Sequence, residues 1–300
     1  MSILRNIYPA QNKLGEAAIW HEASQRLLWI DLLAPQLFIH DPVSNETVVR
    51  PIGLKAPLGA IVATTIPELL IISHPQGLYT LNMETGALET FAHPEQGRGD
   101  VIYNDCKVDR FGRLWVGTSH HKEEDPRGAL WCVMPDGRCY LGDVGFAVAN
   151  GPAFSLDGKT MYFNDSAARK TYAYDIAEND PHPRNRRKFI SYLQEEGMPD
   201  GVVVDEEDCL WVAHWGGARV TRFSKRGERL QVVQVPVPYA TTVGFGGMDY
   251  KTLFVTTARD GMSPDALKNW PQSGDLFAIR PGVKGVAEPL FAVEIPSLFD

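Results

Sequence analysis

Four side chains with oxygen donors precede an apolar tetrapeptide that recurs along the chain. Glu16 precedes its copy by 12 residues, Asn104 by 10, Asn150 by 11 and Asp200 by 10. The two remaining copies offer only threonine or apolar side chains at this distance. If the repeats form a ring, two carboxylates and two carboxamides from four repeats converge on one place.

The chemistry of such a group is that of hard oxygen ligands. Carboxylate and carboxamide oxygens suit hard divalent cations and leave open positions for water. We therefore expect one divalent ion, calcium first, with zinc, magnesium, manganese and ferrous iron as alternatives. The other possibility is a shared proton, because two carboxylates at close range in a low-dielectric channel raise each other's pKa.

A simpler interpretation exists for each residue taken alone. Asn150-Gly151 and Asp200-Gly201 are dipeptides that favour turns, and Glu16 follows a glycine. Loop chemistry alone would explain any one of them. Their common position in the repeat favours a site, because several polar groups then meet in one pocket.

The element that must position these residues is a strand of a repeated sheet. The first residues of the six tetrapeptides lie 42, 44, 47, 49 and 43 positions apart. The six copies are Leu28-Trp29-Ile30-Asp31, Leu70-Ile71-Ile72-Ser73, Leu114-Trp115-Val116-Gly117, Met161-Tyr162-Phe163-Asn164, Leu210-Trp211-Val212-Ala213 and Leu253-Phe254-Val255-Thr256. This period in an aromatic and β-branched sequence predicts an all-β, six-bladed β-propeller. We expect one domain over residues 1–300, with one chain terminus completing the last blade.

Composition excludes several classes of partner. There are 29 Lys and Arg against 37 Asp and Glu, a formal net charge of −8, which argues against nucleic acid. The longest apolar stretch, Leu58 to Ile72, is broken by polar residues and proline, so no membrane span is expected. A closed propeller leaves few free strand edges, which predicts a monomer or small homo-oligomer.

The cysteines predict a reducing compartment. Four cysteines in 300 residues are too few for a disulfide scaffold, and none form a CxxC pair. The first residues lack the basic region and the long apolar core of a signal peptide. We therefore expect reduced thiols in a cytoplasmic protein.

With these residues, the sequence resembles the SMP-30/gluconolactonase/LRE family, which includes senescence marker protein 30 (regucalcin) and sugar lactonases. The resemblance covers about Leu14 to Arg280. The matching stretches are Leu14-Gly15-Glu16 with Trp20, Asn104-Asp105 with Lys107-Val108-Asp109 and Gly112-Arg113, Asn150-Gly151 with Ser155-Leu156-Asp157, Pro199-Asp200-Gly201 before Leu210-Trp211-Val212-Ala213, and Phe245-Gly246-Gly247 before Leu253. The resemblance implies a six-bladed propeller, metal ligands at Glu16, Asn150 and Asp200, and Asn104 facing a sugar lactone substrate.

One position departs from the family pattern. Ile102 stands where many members carry an arginine that helps to hold sugar hydroxyls, and isoleucine cannot donate those hydrogen bonds. His120 and His121 lie in a polar loop after the third tetrapeptide. In the simpler interpretation this is an ordinary surface loop. In the second interpretation the two histidines contact the substrate in place of the arginine. Ile102, Asn104, His120 and His121 are thus the predicted substrate-binding residues.

The predicted reaction is metal-assisted hydrolysis of a sugar lactone to the sugar acid, catalysed by a gluconolactonase-like carboxylic ester hydrolase. Water is the nucleophile and Asp200 is the candidate general base. No G-x-S-x-G elbow is present, so a covalent acyl-enzyme is not supported. Three alternatives stay open: a metal-dependent phosphotriesterase, a calcium-binding regulator without catalysis, and an interaction propeller without metal.

Overall fold

The computed structural model describes residues 3–294, and its strands form six four-stranded antiparallel sheets. Each inner strand contacts the inner strands of both neighbouring blades, and the sixth blade contacts the first, so the sheets close into a ring. The chain is therefore a six-bladed β-propeller, as the repeat period predicts. Residues 1–2 and 295–300 of the predicted domain lie outside the described residues.

The strands occupy the same order in every blade. The inner strands are β2 (Gly15–His21), β6 (Ile61–Ala63), β10 (Val101–Val108), β14 (Ala149–Phe154), β18 (Met198–Val204) and β22 (Ala240–Gly246). The second strands are β3 (Arg26–Asp31), β7 (Leu69–His74), β11 (Leu114–His120), β15 (Thr160–Asp165), β19 (Leu210–Trp215) and β23 (Thr252–Thr257). The third strands are β4 (Gln36–Asp41), β8 (Gly77–Asn82), β12 (Gly128–Val133), β16 (Lys170–Ala177), β20 (Arg219–Phe223) and β24 (Leu276–Ile279). The outer strands are β5 (Glu46–Pro51), β9 (Leu88–Ala92), β13 (Cys139–Phe146), β17 (Asp180–Ser191), β21 (Arg229–Gln234) and β1 (Arg5–Tyr8).

The N-terminal strand closes the ring. β1 pairs antiparallel with β24, with Arg5 opposite Ala278 and Tyr8 opposite Leu276. The sixth blade thus takes its outer strand from the beginning of the chain and its other three strands from the end. This pairing gives the sixth blade its fourth strand and joins the two ends of the chain.

The second strands form the core. The tetrapeptides lie on these strands and are buried, because each blade is covered on both faces by its neighbours. In blades 1, 3 and 5 the second residue of the tetrapeptide is a fully buried tryptophan. Each indole N–H donates to a side-chain oxygen, that of Asn12 at 2.9 Å, Asp109 at 2.7 Å and Asp205 at 2.9 Å. The core is therefore repeated in its polar contacts as well as in its apolar residues.

Helix is confined to short connections. α1 (Pro264–Asn269) lies between β23 and β24, and the Ser263 hydroxyl accepts from the Ala266 N–H as its N-cap. A 3₁₀ turn at Gln194–Glu196 precedes β18. Within residues 3–294, neither helix has the length and apolar character needed to cross a bilayer.

The buried Asp205 should be a strong determinant of stability. It accepts from Trp211 Nε1 and, at 2.7 Å, from Arg222 Nε. Removing one partner of a buried ion pair leaves an uncompensated charge. We expect Asp205→Ala to lower the free energy of unfolding by about 3–5 kcal/mol in denaturant titration.

Glu207→Ala is the matched control, because Glu207 pairs with the same guanidinium at 2.7 Å but its side chain is 59% exposed. This variant should lose less than about 1 kcal/mol. Equal losses in the two variants would contradict the assignment of the stabilising role to the buried carboxylate.

Candidate active site

The four predicted oxygen residues line one pocket. Glu16, Asn104, Asn150 and Asp200, each from the inner strand of a different blade, border a cavity of about 270 Å³ between the inner strands. Its remaining wall is largely apolar and includes Trp215. The repeat positions thus predicted that these four side chains share one pocket.

The four side chains lie at or next to β-bulges in the inner strands. The pairing register shifts at a β-bulge in the inner strands of blades 1, 3, 4, 5 and 6, whereas β6 pairs regularly. Asn104 and Asp200 are the first residues of their bulges, while Glu16 and Asn150 are the last paired residues before theirs. The distances to the tetrapeptide vary between 10 and 12 residues because the hairpins that follow differ: the first tetrapeptide residue pairs with a residue 6 positions earlier in blades 3 and 5, 7 in blade 4 and 9 in blade 1. A bulge bends the strand and redirects its side chains at that point.

The glycines next to the site residues belong to strands rather than to hairpin turns. Gly151 lies in β14 with φ +81°, a conformation that favours glycine. Gly201 lies in β18, and a Cβ there would come within 2.8 Å of Thr242 Cα in the next blade. The two Asx-Gly dipeptides therefore permit a bulge and a close approach between blades.

A hydrogen-bonded series fixes the two carboxamides. Asn104 Nδ2 donates to Asn150 Oδ1 and to the Ala149 carbonyl, both at 2.7 Å. Asn150 Nδ2 donates to Ser166 Oγ at 2.8 Å, and Ser166 donates to the Pro199 carbonyl at 2.6 Å. Because both amide nitrogens are engaged as donors, the orientation of each amide is set by its partners.

The two carboxylates are buried and close enough to influence each other. Glu16 is 7% exposed and Asp200 6% exposed. The Thr242 hydroxyl donates to Glu16 Oε2, which also accepts from the Ala17 N–H at 3.2 Å. Burial, followed by the charges of Asp200 and Asp105, raises the pKa of Glu16 well above its usual value. Burial, followed by the charges of Asp105 and Glu123, raises the pKa of Asp200 in the same way.

Asp105 is a third carboxylate that the repeat spacing did not predict. Its Oδ2 accepts from the Gly151 N–H at 2.9 Å, which joins blade 3 to blade 4. Burial raises its pKa, against the hydrogen bond from Gly151 and the charge of Lys107. Asp105 is not among the residues that line the pocket, but its charge raises the pKa of Glu16 and of Asp200, and as the second bulge residue it departs from the regular alternation of the strand. The spacing of the repeats does not reveal the bulge.

The donor set fits a hard divalent cation. Two buried carboxylates and a carboxamide supply oxygen ligands only, and a cation would offset the burial and the neighbouring charges that raise the pKa of Glu16 and of Asp200. Within residues 3–294, no three His, Cys, Asp or Glu side chains converge closely enough to form a metal site by themselves. Glu16, Asn150 and Asp200 could hold an ion only with the amide oxygen as the third ligand.

The other predicted substrate-binding residues lie outside the pocket lining. Ile102 is half-buried on β10 opposite Ser119. His120 is buried at the end of β11, and His121 is exposed, with its Nδ1 3.0 Å from the Asp100 carbonyl. The structure brings Asn104 to the pocket and leaves these three side chains out of its lining. Their substrate contacts stay predictions.

Two acidic residues on the rim were not among the predicted site residues. Glu123, in the loop between β11 and β12, and Asp260, between β23 and β24, both line the pocket mouth and are solvent-exposed. Both loops follow second strands, which end on the face of the ring where the inner strands begin. Only this position after a second strand could have indicated from the sequence that the two residues lie near the pocket, because loop sequences have no periodicity of their own.

A family model described as the SMP-30/Gluconolactonase/LRE-like region matches residues 14–259. The chain belongs to this family. Members similar to this chain include a regucalcin of Xenopus laevis, which is 34% identical over 93% of this chain and 95% of its own length. A 6-deoxy-6-sulfogluconolactonase of Pseudomonas putida is 36% identical over the same shares of the two chains. The family is therefore shown by sequence over nearly the whole chain.

A solved structure of a family member agrees with the fold. The crystal structure of a calcium-binding protein, regucalcin, from Agrobacterium tumefaciens superposes with a TM-score of 0.91. It is 28% identical and the match covers 96% of this chain and 97% of that one. The six-bladed ring and its order of strands are thus common to both proteins.

His214 stands next to the pocket but is a poor candidate for acid–base chemistry. It is 1% exposed, its Nδ1–H donates to the Glu196 carbonyl at 2.7 Å, and its Nε2 is buried without a partner. Burial lowers the pKa of His214 to about 4. The ring is therefore neutral near neutral pH.

This lowered pKa predicts a loss of stability in mild acid. The folded protein holds neutral His214 while the unfolded chain takes up a proton below pH 6.5, so stability is complete above 6.5 and falls towards pH 4. The full loss is about 3 kcal/mol, at 1.36 kcal/mol per pKa unit. Denaturant titrations of wild type and His214→Gln from pH 7.5 to 4 should show a flatter profile for the variant. Parallel profiles would contradict the assignment.

Proposed function

We propose that this protein is a metal-dependent hydrolase that opens a sugar lactone to the sugar acid. The observation that carries the proposal is the convergence of Glu16, Asn104, Asn150 and Asp200 from four blades in one partly apolar pocket. Glu16, Asn150 and Asp200 are buried, and buried polar groups are costly without an ion or a substrate to satisfy them. The family membership and the sulfogluconolactonase relative support lactone chemistry.

In this proposal Glu16, Asn150 and Asp200 hold one divalent ion, with calcium as the first choice. When bound, such an ion supplies a Lewis acid that polarises a carbonyl oxygen and stabilises the charge that develops on it. The similarity to the Agrobacterium regucalcin, a calcium-binding protein, favours calcium among the possible ions. The oxygen-only donor set is also what calcium prefers.

In the proposed reaction, the side chains of the pocket act as general base and bind the substrate. Asp200 takes a proton from the attacking water, for which a carboxylate oxygen that the ion does not engage is a suitable base. Water adds to the lactone carbonyl, the ring C–O bond breaks, and Asp200 returns its proton to the ring oxygen, which leaves as a hydroxyl. Asn104 orients the lactone, and Trp215 with the apolar wall contacts the carbon face of the sugar.

Asp200→Asn should abolish most of the activity. The substitution keeps the shape of the side chain but removes the base, so kcat should fall by about a thousandfold on a responsive aldonolactone. Metal-stripped protein should be assayed with Ca²⁺, Mg²⁺, Mn²⁺ and Zn²⁺ returned separately to a panel of lactones. Asp265→Asn is the control, since Asp265 is an exposed residue of α1 that pairs with Lys268. Full activity of Asp200→Asn would refute the proposed role.

A calcium-binding regulator is the second candidate. It is favoured by the calcium-binding solved relative and uses the same ligands. Stoichiometric calcium binding without turnover on any lactone would support it over the hydrolase.

The pocket should prefer uncharged lactones. Glu123 and Asp260 line its mouth, and no Lys, Arg or His is among the described residues that line it. An anionic substituent at the rim would meet like charge, worth about 1 kcal/mol at 4 Å in water. We expect kcat/KM for a neutral aldonolactone to exceed that for its 6-phosphorylated or 6-sulfonated analogue by about fivefold, a ratio that shrinks at high salt.

The rim charge can be reversed to test this selectivity. Asp260→Lys should narrow or invert the ratio, while Asp265→Lys, which changes the same charge away from the pocket, should leave it unchanged. If the ratio of the two kcat/KM values were unchanged in Asp260→Lys, the charge at the rim would not determine substrate selectivity.

A further inference from the structure

The channel edge of each inner strand poses a hydrogen-bonding problem. Each inner strand is the edge of its sheet, so backbone groups on its free side have no partner strand. Buried carbonyls there need partners from elsewhere. In all four blades that carry a candidate site residue, the carbonyl of that residue or of the residue before it accepts from a side chain of the preceding blade.

These bonds share one direction around the ring. The donors and acceptors are Thr241 Oγ1 to the Gly15 carbonyl, Ser73 Oγ to the Asn104 carbonyl at 2.9 Å, Asn104 Nδ2 to the Ala149 carbonyl at 2.7 Å, and Asn164 Nδ2 to the Asp200 carbonyl at 2.6 Å. Ser73 and Asn164 are the fourth residues of their tetrapeptides. In blade 6 that position is Thr256, whose hydroxyl lies 2.9 Å from Thr241 Oγ1.

The bond to Asp200 has the most extensive support. A carbonyl only accepts, so the Asn164 amide must present its nitrogen to Asp200 and its oxygen to Thr171, whose hydroxyl donates at 2.6 Å. Tyr192 then donates its hydroxyl to Thr171 at 2.7 Å. Asn164 and Thr171 are fully buried. The series is satisfied at each step and holds the amide in one orientation.

We propose that Asn164 is a positioning residue that fixes the Asp200 backbone, and with it the Asp200 carboxylate, at the pocket. Asp200 is the first residue of its bulge, where the ladder of its own sheet does not hold it. The bond from blade 4 replaces the missing ladder contact. Ser73 fixes Asn104 and Thr241 fixes the segment of Glu16 by the same arrangement. The inference rests on the proposed function in taking Asp200 as ligand and base.

Asn164→Ala tests the proposal on the full chain. We expect its calcium affinity, measured by calorimetry on metal-stripped protein, and its kcat to fall about tenfold or more, as for other outer partners of metal ligands. KM should change less than kcat, because Asn104 and the apolar wall are intact. If the alanine variant does not fold, Asn164→Ser replaces it, since serine keeps a hydroxyl near Thr171 but is too short to reach the Asp200 carbonyl.

Thr64→Val is the matched control. Thr64 is buried in blade 2, which carries no candidate ligand, and its hydroxyl bonds to the Ile66 and Leu69 carbonyls at 2.9 and 3.0 Å. Both variants lose a buried bond from a side chain to a carbonyl and should melt at lower temperature. Only the Asn164 variant should lose calcium affinity and kcat. Equal effects in the two variants, or unchanged affinity and kcat in a folded Asn164 variant, would overturn the proposal.

A crystal structure separates this inference from the proposed function. If wild type opens no lactone and binds no calcium, the proposed function fails. The position of Asp200 in a crystal structure of the Asn164 variant then still tests whether Asn164 positions Asp200. A displacement of its carboxylate by about 1 Å, enough to impair a catalytic geometry, supports the positioning role. An unmoved carboxylate refutes it.

Discussion

The free edge of the inner strands is the constraint on which the rest of this structure depends. A propeller must present one unpaired strand edge per blade to its channel, and buried backbone groups must still be hydrogen-bonded. Here that requirement and the construction of the site coincide. The carbonyls around Glu16, Asn104, Asn150 and Asp200 are satisfied by side chains of the preceding blade, so the same bonds that complete the edge also join the blades.

The polar centre works against stability, and the stabilising contacts lie elsewhere. Glu16 and Asp200 are buried and their pKa values are raised, because burial and the neighbouring carboxylates disfavour the charged forms. The tetrapeptides of the second strands supply the apolar core, and the tryptophans of blades 1, 3 and 5 have bonded indoles. Separating a polar inner ring from an apolar second ring lets the site hold costly buried groups without loss of the fold.

Much of this arrangement could be predicted because it is repeated. A tetrapeptide recurring every 42 to 49 residues indicated six blades, and polar residues at a common phase indicated which side chains meet. Asp105 was missed because it is a bulge residue next to Asn104, and the repeat spacing does not reveal a bulge. Glu123 and Asp260 were missed because they lie in loops, whose sequences have no period. The sequence also left open which terminus closes the ring.

The sequence by itself determined the number of blades, the identity of the second strands and four of the polar residues that line the pocket, because these follow from local strand patterns repeated at a fixed interval. Only the tertiary structure decided how those residues are held. The bulges, the closure by β1 and the bond from Asn164 to Asp200 depend on contacts between residues far apart in the chain, such as Arg5 and Ala278. Such pairings are set by the packing of complete blades, which no local pattern encodes.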